Sequence, residues 1–288
     1  MDAPSLVYRA LFSTPDTVRT PAGEPINAAY GFLGMLARLV AGQRPDELAC
    51  ADDAEWRPEW RVRLIGTYKL HRTVPGSPAV AAEERLRFQL PVLWELLELC
   101  GVPVVSHSGF EAEDVIGTLA ARAGGEVAIF SGDRDLFQLV RDPDVRVLYP
   151  RRGTSDLIVV DESYIAGHYG IPGRAYADFA VLRGDPSDGL PGVRGIGEKM
   201  AAALVSRYGS LEAILRAAEA DAAAGPLAKV RRERDYLERA QRVVRIPTNL
   251  PIAAGDLRLR SRQPPELWAF AEKHGLSGPV ARLLQALS

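Results

Sequence analysis

Two aspartates three residues apart, Asp185 and Asp188, run directly into a turn punctuated by Gly192, Gly195 and Gly197. Glycine has no Cβ to shield the backbone amides, and a helix opening near Glu198 adds the positive end of its dipole, so the stretch reads as a metal corner joined to a phosphate clamp. Further acids stand at comparable places. Asp133 and Asp135 follow the apolar run 127–130 in Ser131-Gly132-Asp133-Arg134-Asp135, and Glu111, Glu113 and Asp114 open a helical stretch. Asp52 or Asp53 ends another expected strand, and Asp2 stands near the head of the chain. Taken singly these groups have plainer explanations, as solvated loop acids or as acids stabilised at a helix start. Together, hard oxygen ligands at several strand ends, with no clustered histidine or cysteine, suit magnesium or manganese better than zinc. The chemistry inferred is phosphoryl transfer, because two ions about 4 Å apart activate a water and stabilise the leaving oxygen of a phosphodiester. His71, His107, His168 and His274 form no catalytic pattern, and there is no Walker-type nucleotide loop.

Residues 54–78 collect Trp56, Arg57, Trp60, Arg61, Arg63, Tyr68, Lys69, His71 and Arg72, which supply charge and stacking for a nucleic-acid strand or else a solvated face over packed tryptophans. The formal charge of −2 argues against a uniformly basic nucleic-acid binder. The elements that must position these groups are an amphipathic helix over 1–12 and a second over 26–41 stopped by Gly42. A short strand over 45–51 follows, then a helix over 79–100 kinked at Pro91 and a strand over 102–106. A helix over 112–122 and a strand over 127–130 complete the alternation, and 145–149 and 157–160 form a hairpin across Arg151-Arg152-Gly153. Alternating strand and helix predicts a mostly parallel sheet, and ligands bind at the carboxyl ends of its strands. Beyond residue 161 helices dominate until Arg258. The punctuation Gly170-Ile171-Pro172-Gly173 predicts an α/β domain over 1–170 and a helical region over 171–288. Cys50 and Cys100 lie in apolar settings without metal-ligand spacing and read as core thiols. With no apolar run near the roughly 20 residues of a membrane span and no signal-peptide pattern, a cytoplasmic location is expected.

These motifs resemble the bacterial 5'-3' exonuclease and flap endonuclease family, whose nuclease domain stands alone or at the N-terminus of DNA polymerase I. The resemblance runs from about Asp2 to about Ile252. Asp2 to Phe12 is similar to the family's Asp-x-x-Ser-Leu-x-Tyr-Arg-Ala-x-Phe opening, and Tyr68-Lys69 with Arg72 to its Tyr-Lys-x-x-Arg, followed by Arg87-Phe88-Gln89-Leu90-Pro91. Glu111-Ala112-Glu113-Asp114 is similar to its Glu-Ala-Asp-Asp, Asp133 and Asp135 to its Asp-x-Asp, and 184–199 to its Gly-Asp-x-Ser-Asp-Asn-x-Pro-Gly-x-x-Gly-Ile-Gly-x-Lys.

The resemblance implies a PIN-like α/β fold, with a mostly parallel central sheet flanked by helices and a helical C-terminal part carrying a helix-three-turn-helix. It implies that Asp2, Asp53, Glu111 and Glu113 serve one divalent ion and Asp133, Asp135, Asp185 and Asp188 another, with Asp114 supporting through water. Counting back from Arg61 and Tyr68-Lys69 favours Asp53 over Asp52. Lys69 and Arg72 would contact the scissile phosphate and, with Asp133, Asp135 and Asp185, carry the catalysis. Arg9, Tyr68, Gly192, Gly195, Gly197 and Lys199 would contact DNA, and the carbonyls of Val193 and Ile196 would hold a potassium ion.

The sequence departs from the family at several places. No strand leads into Asp2, which leaves it without an anchor. Glu113 stands where the family has an aspartate, lengthening that ligand by one methylene. Gly189 replaces an asparagine, which loosens the turn, and the arch over 73–84 is short for a tunnel that threads a single strand. The expectation is a stand-alone monomeric nuclease, metal-dependent, acting on DNA with a 5' flap, a gap or a recessed 5' end in replication or repair at the bacterial nucleoid. The alternatives are a catalytically inactive DNA-binding protein that keeps the clamp, and a PIN-type ribonuclease.

Overall fold

The computed structural model describes residues 1–152, 156–220 and 224–288, without the side chain of Arg152. Its strands are short. β1 (Cys50–Ala51) pairs in parallel with β2 (Val104–Val105), β3 (Val127–Phe130) pairs in parallel with β4 (Val145–Arg152), and β4 pairs antiparallel with β5 (Asp156–Val160). The first two residues of the chain join the two ladders. The Ala51 N–H donates to the Met1 carbonyl at 2.8 Å, and the Asp2 N–H donates to the Phe130 carbonyl at 3.0 Å. Met1-Asp2 thus stands between β1 and β3, and the expectation of an unanchored Asp2 is corrected. A two-residue insertion is too short to show any strand period.

The sheet is covered on both faces. Side chains alternate along a strand, so Ile129 and Val147 enter one apolar cluster while Phe130 and Leu148 enter the other. The second cluster takes α1 (Ala3–Ser13) and α2 (Asn27–Gln43). After α3 (Glu59–Leu64), it also takes α4 (Pro78–Leu86) and α5 (Gln89–Cys100). The first cluster takes α6 (Ala112–Arg122), α7 (Glu162–Tyr169), α8 (Tyr176–Arg183), α9 (Glu198–Tyr208), α10 (Leu211–Ala220), α11 (Gly225–Arg232) and α12 (Arg234–Val244). The last helices, α13 (Glu266–Lys273) and α14 (Ser277–Leu287), return to pack on α5 and α2 in the second cluster.

Several boundaries differ from those expected. α2 passes through Gly42 and ends where Arg44 turns left-handed at φ 48. The single kinked helix over 79–100 is two helices parted at Arg87-Phe88. Pro91 has no N–H to donate to the Arg87 carbonyl, so the helix restarts with proline in its first turn, where no donor is required. The basic stretch holds the short α3 and a 3₁₀ turn, Leu70–Thr73. α6 and β3 occupy the expected residues, whereas Gly153 of the expected hairpin turn lies outside the described residues. α6 crosses close to the chain after α12, because a Cβ on Gly117 would sit 2.3 Å from Ile246. No helix among the described residues is long and apolar enough to cross a membrane.

Candidate active site

A cleft of about 1110 Å³ opens at the carboxyl ends of β1 and β3. Asp2, Asp53, Glu111, Glu113, Asp133, Asp135, Asp185 and Asp188 all line it, together with Asp52, Lys69 and Arg72. The Asp2 carboxylate caps α1, accepting from the Ser5 N–H at 3.2 Å, and also accepts from the Ser131 hydroxyl. Asp133 accepts from the Asp135 N–H at 2.9 Å, and Asp53 accepts from the Ala112 N–H at the start of α6 at 2.7 Å. Asp185 accepts from the Ser187 N–H at 2.8 Å and from its hydroxyl at 2.5 Å. Backbone donors therefore orient four of these eight acids, one each from four of the five segments that supply them.

The turn after Asp188 is braced, not loosened. Gly189 has φ +71, and a Cβ on it would lie 2.1 Å from the Thr67 carbonyl oxygen, so no larger residue fits. The Thr67 hydroxyl donates to the Gly189 carbonyl at 2.7 Å, and the Lys69 N–H donates to the Asp188 carbonyl at 2.9 Å. Lys69 itself is left-handed at φ 47, a conformation that costs a non-glycine residue about 1 kcal/mol or more. Its ammonium donates to Glu111. The Arg72 guanidinium donates to the Ser187 carbonyl at 2.9 Å and to Asp188 at 3.0 Å.

Arg61 is the residue that sequence reasoning misplaced. Expected as part of a nucleic-acid face, it is fully buried and ion-paired to Glu111, Glu113 and Asp114. It meets Asp114 bidentately at 3.0 and 2.6 Å, and its Nε donates to the Val243 carbonyl at 3.1 Å, tying the acids of α6 to α12. Asp114 consequently lies behind the cleft wall. Tyr68, expected at DNA, is also buried and donates to Glu111 at 2.6 Å. Arg57 and Trp60 are spent on the backbone carbonyls of Tyr68 and Gly109, at 2.7 and 3.0 Å. Of the basic stretch, Lys69, His71, Arg72 and Trp56 reach the cleft. Arg9 lies beside Gly132 rather than in the cleft wall.

The acids are electrostatically unsatisfied. Burial and the Asp133 charge, opposed by the Ser131 hydroxyl, push the Asp2 carboxyl up to about 7. Burial and the neighbouring Asp53 push Asp52 up to about 6. Asp135 is raised well above the carboxylate range by burial and then by Asp133, Asp188 and Asp185. Asp53, Glu113, Asp114 and Asp188 are also raised, burial being the largest cause in each. Lys69 runs the other way: burial lowers it, but Asp188, Glu111 and Glu113 together raise it further. Among the described residues no three acids already converge at coordinating distance, since those of α6 are turned to Arg61 and Lys69. In number and donor type the set nevertheless fits hard divalent ions, whose charge would relieve the mutual repulsion.

The clamp lies outside the cleft. Gly192 is buried, with φ 65, and its N–H donates to the Tyr236 hydroxyl at 3.0 Å. A Cβ there would lie 2.5 Å from Arg183 and Gly184 backbone atoms, so this glycine serves packing. Gly195, Gly197 and Lys199 are exposed, and Gly197 caps α9. The Val193 carbonyl already accepts the Ile196 N–H at 2.9 Å, and the Gly195 carbonyl accepts the Lys229 ammonium at 2.9 Å.

Comparison with known proteins places the chain in a family. Residues 1–170 match the family described as 5'-3' exonuclease, N-terminal resolvase-like domain, and residues 171–266 match the 5'-3' exonuclease, C-terminal SAM fold. A 5'-3' exonuclease of Streptomyces coelicolor is 45% identical over 300 residues, covering 100% of this chain and 99% of the relative. One from Mycobacterium tuberculosis is 40% identical over 306 residues, covering 100% and 96%. The bacteriophage T5 flap endonuclease, solved in a complex with DNA and metal ions, shares the fold. It has a TM-score of 0.70 at 17% identity, over 99% of this chain and 97% of that one. A chain that matches both parts of the family and aligns along its whole length with such relatives belongs to the 5'-3' exonuclease family.

Proposed function

We propose that the chain is a structure-specific 5' nuclease that hydrolyses DNA at a 5' flap, a gap or a recessed 5' end. The observation that carries this reading is the presence of Lys69 and Arg72 in one cleft with eight acids drawn from five segments. Water adds to phosphorus and the bond to the 3' oxygen breaks, leaving a 5'-phosphate and a 3'-hydroxyl. Asp2, Asp53, Glu111 and Glu113 would hold one divalent ion, and Asp133, Asp135, Asp185 and Asp188 another. Magnesium or manganese so bound supplies a water of lowered pKa and neutralises developing charge.

Lys69 and Arg72 bind the scissile phosphate as cations, each already oriented by an acid of the set. Tyr68 orients Glu111, and Asp114 acts through Arg61. Arg9, the exposed amides around Gly195 and Gly197, and Lys199 contact the DNA backbone. A potassium ion would sit at the Val193 and Ile196 carbonyls of the clamp. The second lone pair of the Val193 oxygen remains for it, and exchange of potassium for sodium at constant ionic strength tests it. The chain divides into a nuclease part over 1–170 and a duplex-holding part over 171–288. It works as a monomer on replication or repair intermediates of the nucleoid.

End-labelled 5'-flap, gapped and blunt DNA, incubated with magnesium or manganese, tests the reading. One product cut near the flap junction marks endonuclease action, and mononucleotides mark exonuclease action. Cleavage of single-stranded RNA with none of flap DNA would replace the reading with a ribonuclease.

A further inference from the structure

The clamp contains a cation that comes from neither the cleft nor the turn. Lys229, on α11, donates from Nζ to the Gly195 carbonyl at 2.9 Å. Gly195 has φ +78, a conformation that favours glycine, and a Cβ on it would stand 2.9 Å from that Nζ, so a larger residue would displace the ammonium from its present position. The carbonyl is turned to Lys229, while the N–H groups of Arg194, Gly195 and Gly197 have no acceptor among the described residues, and all three residues are exposed. An ammonium has three donors, and Gly195 uses one of them. Arg232 lies three residues further along α11, on the same side of the helix as Lys229, and is exposed.

A purely structural brace is a poor account of this contact. A solvent-exposed hydrogen bond contributes little stability, and ordering a lysine side chain costs up to about 2 kcal/mol of rotamer freedom. Fixing a positive charge beside exposed, unpaired amides makes sense if an anion completes the site. We infer that Lys229 is the fixed cation of the clamp, binding a backbone phosphate of the duplex together with the amides of Gly195 and Gly197. The inference rests on the reading of the chain as a DNA nuclease.

Equilibrium binding of fluorescent 5'-flap DNA, measured in chelator over a range of salt, tests it with the full chain and the variants Lys229→Met and Lys229→Arg. Each phosphate contact contributes about 0.9 to the slope of log affinity against log salt, so Lys229→Met lowers the slope by about that amount on every DNA sequence. Lys229→Arg keeps the slope, and the melting temperature of both variants stays near that of the wild type. An unchanged slope in Lys229→Met, with the wild type binding normally, overturns the inference and leaves the nuclease reading standing. A wild type with no salt-dependent affinity for flap DNA overturns the nuclease reading itself.

Discussion

The acid cleft and the glycine clamp share one stretch, 184–199, yet they are built by opposite means. In the cleft the working atoms belong to charged side chains that are largely buried, with Glu111 2% and Asp135 8% exposed. In the clamp they belong to a neutral backbone exposed at Gly195 and Gly197. Assembling like charges out of water is costly, so the cleft needs compensation from Arg61, Lys69 and bound ions. The folding of the clamp needs only dihedral freedom and space, since Lys229 makes a single exposed hydrogen bond there. The stability of the cleft should therefore respond to changes of charge, and that of the clamp to changes of volume.

Breaking the compensation in the cleft has the largest expected effect. Arg61→Met leaves Glu111, Glu113 and Asp114 buried without their cation, and a loss of about 3–5 kcal/mol is expected in urea denaturation. A loss under about 1 kcal/mol would show that these pairs are not what holds the acids together.

The pH dependence sharpens the same contrast. Asp2 is raised to about 7 and Asp52 to about 6, so between about pH 4 and pH 7 the metal-free folded state binds more protons than the unfolded chain. The stability contributed by these groups is full below the unfolded carboxylate range and is lost as pH rises through the folded values. Thermal melts in chelator should fall across that window, and saturating magnesium should flatten the fall. A melting curve indifferent to magnesium would count against ion binding by these acids.

At the clamp, Gly195→Ala strains a left-handed residue and crowds Lys229, for about 1–2 kcal/mol of stability. DNA affinity should drop, and pKa-dependent behaviour in the cleft should not change. A shift in the pH profile of this variant would contradict the separation of the two regions.

How legible these parts were follows from the same distinction. Asp133 and Asp135 stand in the turn after an apolar strand and the glycine run precedes a helix start, so both could be read locally, whereas the full set of eight acids was legible only through the family resemblance. α6 and β3 were also legible locally, with apolar faces at Val115, Ile116 and Leu119 and an unbroken Val127–Phe130. Arg61 was not, since an arginine among tryptophans and arginines reads as a solvated or nucleic-acid-facing charge until its partners fifty residues away are placed. Met1-Asp2 was not, because a two-residue bridge has no period. Gly189 was misread because the approach of Thr67 that excludes a side chain there is a tertiary contact. Lys229 lies in a basic helix with nothing local to mark it off from Arg231 and Arg232.

In the proposed function the buried acids carry the chemistry while the clamp carries the DNA. Flap binding and single-turnover flap cleavage, measured side by side in magnesium for the wild type and Asp135→Asn, separate the two roles. Asp135→Asn should bind the flap as tightly as the wild type and leave it uncut. Cleavage by Asp135→Asn at the wild-type rate, or by the wild type in excess chelator, would contradict this assignment of roles.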